Sequence, residues 1–110
     1  MTPDRGEVWI ASLDPVAPGE QRGTRPVLVV SAPAFNAWPV GLVVVVPITT
    51  RERGFAHHVA IDGGGLDRRS FAMPEYVRSV TQRRLRQRLG AADHQAVTSV
   101  DEWLRRITAL

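Results

Sequence analysis

Residues 26–31 read PVLVVS and residues 42–48 read LVVVVPI. Both runs are short, continuously apolar and dominated by β-branched side chains, which is the pattern of strands buried on two faces. Pro47 donates no ladder hydrogen bond, so it belongs near a strand end or at an edge. If the two runs pair antiparallel, a register with Val27 opposite Pro47 and Ser31 opposite Val43 accommodates both without a slip. The same register brings Arg25, which precedes the first strand, towards Thr49, which ends the second. The two side chains then converge at one sheet edge, under the loop from Pro15 to Thr24.

Working outward, the rest of the chain reads as short strands followed by one helix. Residues 6–13 (GEVWIASL) predict a strand stopped by Asp14-Pro15. Residues 15–24, with two Pro and two Gly, predict an exposed loop. Residues 32–40 hold Pro33, Asn36 and Pro39 and have room for one helical turn. Residues 51–54 are a charged turn. Residues 57–62 (HHVAID) alternate as a half-buried strand, ended by Gly63-Gly64-Gly65. Residues 70–80 predict two extended pieces broken at Pro74, residues 81–85 a helical turn, and residues 86–89 a last short strand. From Asp93 the period changes. Val97, Val100, Leu104 and Ile107 recur at three-to-four spacing beside Trp103, predicting one amphipathic helix with Asp93 as its N-cap or first-turn acid. With no repeat and no linker, residues 1–110 form a single domain. The expected fold is mainly β with a C-terminal helix: a small barrel or curled antiparallel sheet of five or six strands, with the helix over one opening. Such a core is thin for this length, and homodimerisation would bury more apolar surface.

Composition narrows the function. The hydrophobic fraction of 44% and charged fraction of 23% are those of an ordinary globular domain. All fourteen basic residues are Arg, and eleven acids leave a net charge of +3. Guanidinium forks bind phosphate bidentately, which suggests a polyanionic partner, although a GC-rich genome would also favour Arg over Lys. The absence of Cys excludes disulfides, thiolate metal sites and Cys nucleophiles. The apolar stretch from Val40 to Ile48 is too short to cross a bilayer, and no apolar signal region opens the chain. A cytoplasmic protein with no membrane association is expected.

A guanidinium and a hydroxyl meeting under a Gly-containing polar loop suit a phosphate. The competing reading makes Arg25 a surface cation paired with Glu20 or Glu52, with Thr49 closing a turn. His57 and His58 are the natural candidate bases. On a strand they face opposite ways: His57 joins Val59 and Ile61 towards the core, and His58 joins Ala60 and Asp62 and is the better site candidate. The histidine pair has no acid at ligand spacing, so no metal and no cofactor are expected. His94 belongs to solvent. Residues 68–88 contain seven Arg and one acid, Glu75, which is an electrostatic footprint of RNA binding if it faces a groove. Arg78 is the choice for a phosphate contact and Tyr76 for stacking on an unpaired base. Arg83, Arg84, Arg86 and Arg88 also fit a solvated strand edge, and Arg51, Arg53, Arg105 and Arg106 a solvated surface. Trp9, Trp38 and Trp103 read as core or dimer residues.

In their order, the blocks Arg5-Gly6-Glu7-Val8-Trp9, Leu13-Asp14-Pro15, Gly19-Glu20-Gln21 and Arg25-Pro26-Val27-Leu28-Val29-Val30-Ser31 resemble the opening of the MazF/PemK toxins. These are endoribonucleases of type II toxin–antitoxin modules. The resemblance continues through Val46-Pro47-Ile48-Thr49-Thr50, Val77-Arg78-Ser79-Val80 and Arg84-Leu85 into the helix. It implies a CcdB/PemK-like, SH3-like barrel that dimerises. It implies metal-independent cleavage of single-stranded RNA at short motifs, through 2′-OH attack to a 2′,3′-cyclic phosphate and a 5′-OH. It also implies an antitoxin whose acidic, disordered tail covers the RNA site. By this resemblance Arg25 and Thr49 are the catalytic residues, while Glu20 and Gln21 border the substrate groove. Thr50, His58, Tyr76 and Arg78 complete the expected RNA-binding set. Two departures stand out: Pro18-Gly19-Glu20 places the loop Gly next to the Glu, and Pro74 and Tyr76 replace an aliphatic residue and Gln found in relatives. The cleavage motif therefore does not transfer. Two alternatives remain at this point, a non-catalytic toxin of the same fold acting on DNA gyrase, and a basic RNA-binding barrel.

Overall fold

The computed structural model describes residues 2–13 and 23–110. Strands run at Glu7–Ser12 (β1), Thr24–Val29 (β2), Leu42–Thr49 (β3), Val59–Ile61 (β4), Ser70–Ala72 (β5), Arg78–Thr81 (β6) and Leu85–Ala91 (β7). A single helical turn, Pro33–Asn36 (α1), joins β2 to β3, and the helix His94–Thr108 (α2) closes the chain. Two 3-10 turns lie at Pro74–Tyr76 and Gln82–Arg84. The predicted loop at residues 15–24 falls, up to residue 22, outside the described residues.

β3 organises the sheet. One of its edges pairs with β2 in the anticipated register, Val27 opposite Pro47, Leu28 opposite Val46 and Val29 opposite Val45. Its other edge is shared: residues 42–45 pair with β6, and Ile48 and Thr49 pair with β5. The switch falls around Pro47, whose ring offers no N–H while its carbonyl accepts from the Met73 amide at 2.9 Å. The sheet therefore splits at the end of β3, with β4 and β5 on one side and β6 on the other. β1 pairs with β2 and, across two register shifts, with β7. The bulges increase local twist, which lets seven strands curl into a half-barrel.

The curled sheet has an apolar cluster on each face. Val8, Leu28, Val46 and Ile48 face α2, which contributes the buried Ala96 and Val100. Trp9, Ala11, Val27, Val29, Val43, Val45 and Val80 fill the inside of the curl. Alternation along β2 and β3 explains how two adjacent strands supply both clusters, and why residues 27–30 and 42–46 are apolar on both faces. The helix begins at Asp93, whose carboxylate accepts from the Ala96 amide at 3.0 Å and from the Asp62 amide at 3.1 Å. One residue thus caps α2 and ties it to the end of β4.

The linker between β2 and β3 contains a buried polar network that its loop-like composition concealed. The Ser31 hydroxyl bonds to Asn36 and accepts from the Val44 amide at 3.0 Å. The Asn36 amide donates to the Pro3 carbonyl at 2.9 Å. Gln82 donates to the Asn36 and Leu42 carbonyls at 2.6 and 3.0 Å, holding β6 to the same corner.

Four expectations need correction. The sheet has seven strands rather than five or six, and the first central strand runs Thr24–Val29, so Arg25 lies within it and Ser31 beyond its end. β4 begins at Val59, so His57 and His58 lie in the preceding turn. The His58 amide there donates to the Phe55 carbonyl at 3.1 Å instead of joining a ladder, and strand alternation does not apply to the pair. The last strand is also longer than expected, seven residues from Leu85 to Ala91.

Candidate functional site

Arg25 and Thr49 do meet. Both project from the inner face of the curl, since Arg25 follows the alternation of Val27 and Val29, and Thr49 that of Val45 and Pro47. Both line one cavity of 620 Å³ at the split end of the sheet. Thr50, His58, Tyr76 and Arg78 border the same cavity. Six of the eight candidate site residues are thus brought together, and the other two, Glu20 and Gln21, lie outside the described residues.

The charge around the cavity is uneven. Among the described residues, Arg25, Arg51, Arg53 and Arg78 face it, against one carboxylate, Glu75. Arg51 and Arg53 are exposed, as their sequence suggested, but they form part of this rim. Arg25 is half-buried, and burial lowers the pKa of its guanidinium, with partial compensation from nearby Tyr76. A guanidinium remains cationic under these conditions. Among the described residues no carboxylate pairs with Arg25; Glu52, one of the two anticipated partners, faces Arg69 at 3.8 Å. A partly desolvated fork that meets no carboxylate among the described residues is the arrangement that favours an incoming oxyanion. Thr49 accepts from the Arg51 amide at 3.1 Å, which orients its hydroxyl and leaves the O–H free to donate.

The histidines sit differently from expectation. His58, read as the more open of the pair, has a side chain only 4% exposed, whereas His57, assigned to the core, is 33% exposed. Both turn towards Glu75, with Nε2 to Oε2 distances of 3.2 Å from His57 and 2.7 Å from His58. Burial raises the Glu75 pKa, but the hydrogen bonds from His58, its own backbone N–H and His57 outweigh this and hold it below the ordinary carboxylate value. Sequence spacing hid the cluster because seventeen residues separate His58 from Glu75. The fold closes that gap by placing the 3-10 turn Pro74–Tyr76 beside the turn before β4. The one signal available was Glu75 as the sole acid within the Arg-rich segment.

The remaining arginines divide. Arg84 donates to the Ser12 carbonyl at 3.3 Å, and Arg88 to Glu7 at 2.7 Å, so both serve the closure of β7 onto β1 and are not merely solvated. Arg83 and Arg86 are exposed, as is His94. Trp9 is buried, Trp38 is 55% exposed, and Trp103 packs under the Arg106 guanidinium at 4.7 Å. Among the described residues, no helix is long and apolar enough to cross a membrane.

A curled antiparallel half-barrel backed by one helix, with an arginine-lined cavity at its open rim, defines the class: a small, mainly β protein with a cationic site at the end of its sheet. Within that class the chain belongs to the PemK-like, MazF-like toxins of type II toxin–antitoxin systems, whose family pattern it matches over residues 4–108. It is 33% identical over 113 residues to endoribonuclease EndoA of Bacillus subtilis, a match covering 100% of this chain and 97% of EndoA. It is 52% identical over 68 residues to endoribonuclease PemK of Escherichia coli, over 57% of this chain and 49% of PemK. MazF of Deinococcus radiodurans superimposes with a TM-score of 0.87 at 28% identity, over 100% of this chain and 99% of that one. A MazE-MazF structure from the same organism gives 0.79 at 26% identity, over 100% and 99%.

Proposed function

We propose that this chain is a sequence-specific, metal-independent endoribonuclease toxin that cleaves single-stranded RNA. The observation that carries the reading is the convergence of Arg25 and Thr49 in a cavity whose rim, among the described residues, holds four arginines and one acid. The neighbouring 2′-OH attacks the phosphorus, the P–O5′ bond breaks, and the products are a 2′,3′-cyclic phosphate and a 5′-OH. The Arg25 fork stabilises the charge that builds on the non-bridging oxygens. The Thr49 hydroxyl orients the phosphate or the 2′-OH. Neither group is an efficient proton carrier, so rate enhancement rests on in-line positioning and electrostatics. Arg78 and Thr50 hold flanking phosphates, His58 lines the substrate path, and Tyr76, 59% exposed at the rim, stacks on an unpaired base. Glu20 and Gln21 are assigned to the border of the groove by family resemblance.

The same cationic rim suits the acidic, disordered tail of an antitoxin, which would block RNA by occupying its site. The protein acts as a cytoplasmic homodimer. Incubating the purified chain with a pool of single-stranded RNA in EDTA should release fragments with 5′-OH ends, and Arg25→Ala should abolish them. Intact RNA with wild type, or full cleavage by Arg25→Ala, overturns the reading. Growth arrest with intact RNA and inhibited topoisomerase would instead identify a gyrase-directed toxin. Salt-dependent binding without cleavage would identify a simple RNA-binding barrel.

A further inference from the structure

The cluster behind the cavity holds more ligating groups than a hydrogen bond requires. A single contact from the buried His58 would suffice to anchor Glu75, yet a second imidazole, His57, addresses the same carboxylate oxygen. One ligating atom from each of the three residues lies within 4.8 Å of the others. An ion with bonds of about 2.0–2.1 Å to tetrahedral ligands holds those ligands about 3.3 Å apart. The two imidazole–carboxylate edges, 2.7 and 3.2 Å, are already within about 0.6 Å of that value.

The imidazoles are also oriented before any ion arrives. Phe55 stacks on His57 with 5.4 Å between centroids and an interplanar angle of 10°, and meets His58 edge-on at 5.1 Å. Trp103 packs its edge against His57 at 6.1 Å. The two histidine rings stand at 78° to each other, and their Nε2 atoms address the same Glu75 oxygen. His57 and Glu75 are each about one-third exposed, which leaves an entry path and a fourth position for water.

We propose that His57, His58 and Glu75 form a binding site for one zinc-type divalent ion at the edge of the cavity. Two nitrogens and one carboxylate oxygen select Zn²⁺ and its first-row neighbours over Mg²⁺ and Ca²⁺, which prefer all-oxygen shells. On ligation His58 gives up the Nε2–H that it donates to Glu75 and carries its proton on Nδ1. That nitrogen is buried with no partner among the described residues. The outer support that strengthens structural zinc sites is therefore missing there, and the ion is exchangeable and removable by EDTA. RNA cleavage as proposed does not pass through this ion.

The test contains no RNA, so its failure is separate from a failure of the endoribonuclease reading. Tag-free protein stripped with EDTA is titrated with ZnCl₂ by calorimetry and with CoCl₂ by visible absorption. The expected result is one Zn²⁺ per chain and the intense visible bands of a low-coordinate Co²⁺ site, with no response to MgCl₂. His57→Ala and Glu75→Gln should each weaken binding by at least about 100-fold, more than loss of an outer-shell partner costs. Circular dichroism melting of both variants identifies any that fail to fold. Absence of Zn²⁺ binding to wild type, or equal binding by a folded variant, overturns the assignment.

Discussion

At the residue scale, the proposed chemistry depends on the shape of one cation. Arg25 is half-buried and lacks a carboxylate partner among the described residues, so its two terminal nitrogens can address two oxygens of one phosphate. Arg25→Lys keeps the charge and loses the fork. Its cleavage rate, measured on a defined oligonucleotide, should fall about 10²–10³-fold, the scale of losing one oriented donor to a developing oxyanion. Activity within threefold of wild type would show that charge alone is sufficient. Thr49→Ser should keep most of the activity and Thr49→Val should lose it, because only the hydroxyl is used. The meeting of these two residues was legible, since strand register is simple arithmetic once two apolar runs are paired. The histidine cluster was not. Alternation holds only where the ladder exists, and the His58 amide is spent on a turn to Phe55.

At the element scale, short strands are held in place by a few polar anchors. Asn36 is only 2% exposed and serves Pro3, Ser31 and, through its carbonyl, Gln82. Asn36→Ala strands buried polar groups and should cost about 2–3 kcal/mol, read as a lower urea midpoint. Asp93→Ala removes both the α2 cap and the tie to β4. It should cost about 1–2 kcal/mol, against a few tenths for an exposed helix position such as Glu102→Ala. Gly65 has a φ of +72°, and a Cβ there would stand 2.1 Å from the Leu89 carbonyl oxygen. At Gly65 the glycine of the Gly63-Gly64-Gly65 turn is required by close approach to β7. The helix was the most legible element, because fifteen residues repeat one period. The polar corner at Asn36 was hidden, because a buried asparagine and a loop asparagine look alike in sequence.

At the scale of the whole molecule, closure of the curl couples stability to pH. Glu7 on β1 is partly buried, which raises its pKa. Hydrogen bonds from the Asp4 amide, Arg88 and Trp9 outweigh burial and set it below its ordinary value of 4.5. A lowered folded pKa means the stabilisation is present above pH 4.5 and is lost as the pH falls through the folded value. Urea midpoints should drop in that acid window, and Glu7→Gln should flatten the drop. Among the described residues, four of the fourteen arginines line the cavity. If Arg78 contacts an RNA phosphate, Arg78→Ala should reduce the slope of log affinity against log salt by about 0.7. A slope unchanged within error would remove Arg78 from the phosphate path. The proposed homodimer predicts a sedimenting species near twice the 12.1 kDa chain mass.

The sequence by itself determined the local and periodic features: the two apolar strands and their register, the C-terminal helix, and the approach of Arg25 to Thr49. These follow from neighbour spacing along one or two elements, where side-chain direction is set by the backbone repeat. The tertiary structure alone decided which edge of β3 pairs with which strand, the sheet split that opens the cavity, and the return of Glu75 to His57 and His58. Those contacts join residues far apart in the chain. They depend on how the seven strands curl, and no spacing rule along the sequence contains that curvature.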